Sequence, residues 1–270
     1  MKLKMVGLGK MGLNLALNMK EHGVDVEGFD VNEEARKKAE SENIKTYASL
    51  EDVASKDEKN VIWVMLPAGK ITNSVLLQLV ELCKANDIVI DGGNSDHRDS
   101  LKTAHLMEEK GIYFFDIGTS GGVYGARHGA SFMCGGDPDV FKNELQKMLE
   151  SIATTNGCLY TGKTGSGHYL KMIHNAMLYG YMQTLGEGFE LLEKSEFDYD
   201  LQNVADSLSK SSVIRGWLLE LAADAFKKDP DLSKIKGVVG ASKTTGWTIE
   251  SACELGVPIP VISTSLMMRL

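Results

Sequence analysis

Over the first half of the chain, short apolar runs alternate with stretches of helical periodicity. Residues 4–8, 24–30, 61–66, 88–91 and 112–117 are predicted as strands, and residues 13–21, closed by Gly23, and 32–42 as helices. Several of the strand runs are apolar without alternation, as expected for strands covered on both faces. Strands separated by helices of this length imply βαβ units and a mostly parallel sheet. The pattern changes at Gly162-Lys163-Thr164-Gly165-Ser166-Gly167. From His168 to about Lys194 there is neither proline nor strand signal, and one long helix is predicted, followed by helices over 201–209 and 214–227. The expected fold is α/β: a Rossmann-type doubly wound parallel sheet over residues 1–164, then an all-helical second domain over 165–270. No internal repeat or low-complexity segment interrupts this division.

The 270 residues suffice for two modest domains with buried cores. A formal net charge of -8 argues against a nucleic-acid partner and against an anionic membrane surface, which attract basic proteins. A small anionic ligand remains open, because it needs only a local cluster of donors. The four cysteines, Cys83, Cys134, Cys158 and Cys253, form no CxxC motif or Cys/His cluster. They are expected to be reduced thiols of a cytoplasmic protein, with no metal site. The N-terminus passes straight into a strand and a glycine turn, leaving no room for a signal peptide's apolar stretch. The longest apolar run, residues 61–66, is too short to cross a bilayer. A soluble protein is expected.

Gly7-Leu8-Gly9-Lys10-Met11-Gly12 fits GxGxxG between a strand and a helix, the context in which the motif binds a dinucleotide. The first glycine permits a tight turn, the second lets a pyrophosphate approach the backbone, and the third lets helix and strand pack closely. The phosphates then lie at a helix N-terminus, where free N–H groups favour anions. Asp30 ends the second predicted strand, where a carboxylate accepts hydrogen bonds from ribose hydroxyls and repels the extra phosphate of NADP. Val31, Asn32 and Glu33 follow it, with no arginine among them. NAD is therefore favoured, with NADP as the second choice.

Three further segments carry chemistry: Ile90-Asp91-Gly92-Gly93-Asn94-Ser95, Asp116-Ile117-Gly118-Thr119-Ser120-Gly121-Gly122 with Met133-Cys134-Gly135-Gly136 after it, and Gly165-Ser166-Gly167-His168-Tyr169-Leu170-Lys171-Met172-Ile173-His174-Asn175. On a helix, Lys171, His174, Asn175 and Leu178 share one face, being at i, i+3, i+4 and i+7. Over nearly its whole length the chain resembles the decarboxylating 6-phosphogluconate dehydrogenases, and its GTSGG wording and Asp30 resemble their shorter, often NAD-preferring branch. The resemblance implies a sugar-acid phosphate as substrate and a homodimer or higher homo-oligomer. It assigns the cofactor to Gly7, Gly9, Lys10, Met11, Gly12, Asp30, Leu66 and Asn94, and catalysis to Lys171, His174 and Asn175. Substrate contacts are assigned to Asn94, Ser120, Gly121, Gly122, His174, Tyr179 and Arg269. In the implied reaction NAD accepts hydride from C3 of 6-phosphogluconate while Lys171 takes the hydroxyl proton. The β-keto acid then loses carbon dioxide, and the protonated lysine stabilises the enolate.

The chain departs from the family pattern in three places. Leu178 stands where the family has the glutamate that protonates C1 of the enediol, so slow ketonisation or a modified substrate is expected. Ser242 occupies the position of a substrate-binding lysine, with Lys243 adjacent. The chain also stops at Arg269-Leu270, inside a helix predicted from about Ser263, where relatives continue into a tail that completes the neighbouring subunit's site; a second domain truncated at its C-terminus is expected. Two alternatives stay open: a 3-hydroxyacid dehydrogenase for a smaller substrate, and a catalytically impaired dinucleotide-binding homologue.

Overall fold

The structure, a computed structural model, describes residues 2–54 and 58–270. β1 (Lys2–Val6), α1 (Lys10–Glu21) and β2 (Asp25–Phe29) form the first βαβ unit, with the glycine motif as its first turn. α2 (Glu33–Ser41), β3 (Lys45–Tyr47) and the short α3 (Leu50–Val53) follow, then β4 (Val61–Val64), α4 (Lys70–Leu82), β5 (Ile88–Asp91), α5 (His97–Glu109) and β6 (Tyr113–Ser120). The predicted runs 4–8, 24–30 and 61–66 overshoot the strands that form there. Gly7-Leu8, Asp30 and Met65-Leu66 instead make the turns at the strand ends, where polar and glycine positions meet the next helix.

The sheet has eight strands in the order β3-β2-β1-β4-β5-β6-β7-β8, and β1 to β6 are parallel. α6 (Gly122–His128) turns the chain back, so β7 (Ala130–Gly135) runs antiparallel to β6. α7 (Pro138–Val140), a π-helical turn (Phe141–Leu145) and α8 (Gln146–Ile152) return it to β8 (Ala153–Gly162), which is parallel to β7. Leu3, Met5, Trp63, Ile88, Ile90, Phe115 and Ile117 are buried in one core layer, and Val6, Ile62, Val64, Val89 and Phe114 in the other. Alternate residues of the same strands feed opposite layers, which is why β4 and most of β5 are apolar without alternation. The chain order reverses between β1 and β4, the crevice where open parallel sheets bind ligands beyond the carboxyl ends of their strands.

Two compact units are resolved, residues 1–172 and 173–270. α9 (Ser166–Glu193) begins in the first and supplies the opening helix of the second. The second unit adds α10 (Leu201–Ser211), α11 (Trp217–Lys228), α12 (Lys243–Leu255) and α13 (Pro260–Met267). α13 starts at Pro260, since proline at a helix's first position sacrifices no hydrogen bond. It closes at Met267, so Arg269 and Leu270 follow the helix rather than lying inside it. Among the described residues no helix is long and apolar enough to cross a membrane.

Candidate active site

The glycine turn meets the steric demands of a dinucleotide site. Gly7 has a φ of 101°, and a Cβ there would lie 2.4 Å from the Met65 carbonyl oxygen. A Cβ on Gly12 would lie 1.9 Å from the Gly7 carbonyl oxygen, so α1 packs directly on the turn. Gly9, by contrast, has nothing within 4 Å of an added Cβ. The second glycine thus keeps its outer side open, at the helix N-terminus where Lys10 and Met11 begin α1. Leu66 borders the same turn, its Cδ2 lying 2.9 Å from where a Gly7 Cβ would be.

Asp30 lies just beyond β2. Its Oδ2 accepts the Leu8 N–H at 2.8 Å and its Oδ1 the Asn32 N–H at 2.9 Å. Arg36, one turn into α2, donates to the Asp30 carbonyl oxygen at 2.6 Å. This arginine is invisible to a reading that stops at the residues immediately after Asp30, because the helix carries it back.

The turn after β5 supplies Asn94, whose exposed side chain follows the buried Gly92 and Gly93. Around it, Asp91 Oδ1 accepts the Gly93 N–H at 3.0 Å, whereas Asp91 Oδ2 and Ser95 Oγ are buried without a partner. β6 ends at Ser120, and Gly121 and Gly122 open α6, whose cap uses no side chain. Asn94, Ser120, Gly121 and Gly122 therefore all stand at the carboxyl ends of neighbouring parallel strands.

Lys171 is 6% exposed, and loss of hydration lowers its pKa to about 8. Its stem lies on β6 at Gly118, where an added Cβ would come 2.4 Å from Lys171 Cβ and 2.9 Å from Cγ. Gly118 belongs to the site for that reason, and its place in the GTSGG segment was the available signal. A buried amine that titrates near neutrality can take up a proton and return it, which an ordinary lysine near 10.4 does poorly.

In the helical unit, His174 Nδ1 and Asn175 Oδ1 are 3.1 Å apart. Asn175 Nδ2 reaches Thr244 Oγ1 at 3.4 Å, and that hydroxyl also pairs with Ser242 Oγ. The phenolic oxygen of buried Tyr179 accepts the Ser242 N–H at 2.7 Å, leaving its own proton to donate. The Arg269 guanidinium lies 3.8 Å over the Tyr179 ring, and its Nη1 donates to the Gly240 carbonyl at 3.0 Å. His174, Asn175, Tyr179 and Arg269 are thus brought into one cluster, joined by Ser242 and Thr244. Ser242 caps α12 and Lys243 is its first residue. Leu178 is half-buried on the same helix. Among the described residues no group of three or more His, Cys, Asp or Glu side chains could hold a metal ion.

Comparison with known proteins follows the same division. Residues 2–162 match the NAD binding domain of 6-phosphogluconate dehydrogenase, and residues 167–270 match the C-terminal domain of that enzyme. At 42% identity the whole chain covers 90% of YqeC from Bacillus subtilis, a protein provisionally named as a 6-phosphogluconate dehydrogenase. At 38% identity it covers 90% of the NAD(+)-dependent, decarboxylating 6-phosphogluconate dehydrogenase of Haloferax volcanii. The 6-phosphogluconate dehydrogenase of Plasmodium falciparum, solved alone, with NADP+ and with 6-phosphogluconate, superposes with a TM-score of 0.88 at 29% identity. All of this chain is matched there, but it spans only 61% of that longer protein. With both halves matched in order and full-length relatives above 30% identity, the chain belongs to the 6-phosphogluconate dehydrogenase family.

Proposed function

We propose that the protein oxidises and decarboxylates 6-phosphogluconate to ribulose 5-phosphate and CO2, with NAD as the preferred acceptor. The observation that carries this reading is the buried Lys171 of α9, its pKa drawn down to about 8, packed at Gly118 against the strand that ends at Ser120 and leads into Gly121-Gly122. The open outer side of Gly9, the helix N-terminus at Lys10 and Met11, and the Asp30 carboxylate fit a dinucleotide with a free ribose 2′-hydroxyl. Gly7, Gly12, Leu66 and Asn94 complete its binding set. When bound, NAD supplies the hydride acceptor. Neutral Lys171 takes the proton of the C3 hydroxyl as that bond is oxidised. The ammonium so formed then donates to the C3 oxygen and stabilises the enolate as CO2 leaves. Asn94 and Asn175 orient the C3 region, and His174 holds a sugar hydroxyl. Ser120, with the N–H groups of Gly121 and Gly122, receives the carboxylate. Tyr179 and Arg269 bind the phosphate, where the guanidinium fork suits its oxygens.

The matched C-terminal domain favours this substrate over a smaller 3-hydroxyacid. Leu178 favours one variant of the reading, in which oxidation is intact and the last protonation is slow, because leucine carries no proton. A steady-state assay with 6-phosphogluconate and either cofactor decides the main question. NADH formation with release of CO2 is expected, and an absence of both would refute the assignment. Following ribulose 5-phosphate alongside NADH isolates the final step. We also infer a cytoplasmic homo-oligomer. The helical unit exposes Trp217 and Leu221 beside an open apolar groove of about 520 Å³ lined by Phe189, Phe226 and Ile235. Light scattering that gave a monomer at assay concentration would reject the oligomer.

A further inference from the structure

Asp116 lies in β6 with no exposed surface, and each of its carboxylate oxygens is engaged by a backbone N–H. Oδ1 accepts the backbone N–H of Gly165 at 2.6 Å, and Oδ2 accepts that of His168 at 2.7 Å. These are the cap and third positions of α9, whose N–H groups have no partner inside the helix. A helix usually draws that acceptor from its own cap side chain. Gly165 has none, and the acceptor comes from a strand 49 residues earlier. Burial pushes the Asp116 pKa up, against the pull of the neighbouring His168 side chain and of the two N–H groups, which favour its ionised form.

Two other ties hold the same helical turn. Ser100 Oγ pairs with His168 Nδ1 at 2.7 Å, and Thr161 Oγ1 with Ser166 Oγ at 2.7 Å. Ser100 and His168 have the atoms of a nucleophile and its base, but both are 1% exposed, so no substrate reaches them. Helix and sheet touch through backbone. A Cβ on Gly167 would come 2.2 Å from the Asp116 carbonyl oxygen, and one on Gly135 would come 2.6 Å from its carboxylate. Three residues beyond His168 the helix presents Lys171 to Gly118, two residues beyond Asp116 and on the same face of β6. One position of the strand holds the end of the helix, and the next inward-facing position receives the lysine.

We propose that Asp116 is the positioning residue for Lys171: its carboxylate fastens the first turn of α9 to β6 and so sets the helical register that lays the lysine stem against Gly118. This rests on the reading of Lys171 as the base. Slippage of the helix by one residue rotates Lys171 by about 100° off Gly118. Asparagine is the informative replacement, since its volume is nearly that of aspartate but its amide nitrogen must face one of the two N–H donors.

The test measures kcat, the KM for 6-phosphogluconate and the number and affinity of NAD sites in the parent, Asp116→Asn, Asp116→Ser and Lys171→Met proteins. For Asp116→Asn the expected result is a fall in kcat per NAD site of at least about tenfold, with both the NAD affinity and the KM within about threefold of the parent. A kcat per NAD site within twofold of the parent would overturn the inference. So would joint loss of NAD binding and turnover in both Asp116 variants, because Asp116 would then hold the fold rather than the lysine. Lys171→Met separates the two levels. If it keeps turnover, the base reading fails whatever Asp116 does; if it is dead while Asp116→Asn is unimpaired, the positioning inference alone fails.

Discussion

Lys171 has its folded-state pKa below the unfolded value, and the sign of that shift makes two predictions. For catalysis, the proposed role makes the neutral amine the working form, so kcat/KM should fall about tenfold per pH unit below about 8. For stability, the folded chain binds fewer protons than the unfolded chain between about 8 and 10.5, so stability contributed by this site rises across that window. The whole effect is roughly 3 kcal/mol, carried in full as a penalty below pH 8. Lys171→Met should abolish the acid limb, lower kcat by about 1,000-fold and raise the melting temperature at pH 7. A pH–rate profile and a thermal melt check all three. Leu178→Glu is expected to speed steady-state ribulose 5-phosphate formation while leaving the first-turnover burst of NADH unchanged, and equal steady-state rates in parent and variant would exclude a missing acid.

At the scale of elements, the site depends on how α9 meets β6. Gly118→Ala should push the Lys171 stem outward by steric contact and cost roughly 100-fold in kcat, with NAD affinity kept. Crystals of the variant with the amine unmoved would contradict this. The same contact explains what was and was not legible in the chain. β4 and the first three residues of β5 are continuous apolar runs, β6 opens with one, and the GxGxxG turn between β1 and β2 is local, so these stand out from sequence. β3 is only Lys45–Tyr47, and β8 opens with the exposed Thr154, Thr155 and Asn156 at the sheet edge, so neither has an apolar run to announce it. β7 is hidden by its antiparallel return after α6. Lys171, His174 and Asn175 are recognisable by helical spacing, whereas Asp116, Arg36, Ser242 and Thr244 act through partners that only folding brings near.

For the whole molecule, ligand binding to the first unit should register as stability. Saturation with NAD at about 100 times its dissociation constant contributes about 2.7 kcal/mol to a state that binds it. A rise in melting temperature of roughly 5–10 °C is therefore expected. NADP at the same concentration should give a smaller shift, because Asp30 repels the 2′-phosphate. Equal shifts would remove Asp30 from the basis of cofactor choice. The net charge of -8 is compatible with anionic ligands because the donors are local: helix N-termini, Arg269 and Lys171.

The engagement of Asp30 also limits how cofactor use can be changed. Both its oxygens already grip main-chain amides at Leu8 and Asn32, so the group proposed to discriminate between the two nicotinamides also staples the glycine turn to the end of β2. Exchanging it for a small neutral residue relieves the repulsion and slackens the seat together. A variant enzyme that runs well on NADP will need new acceptors for those two amides as well as a cationic neighbour. Arg36, tethered through the main-chain carbonyl of Asp30 rather than its carboxylate, keeps that anchor in such a design.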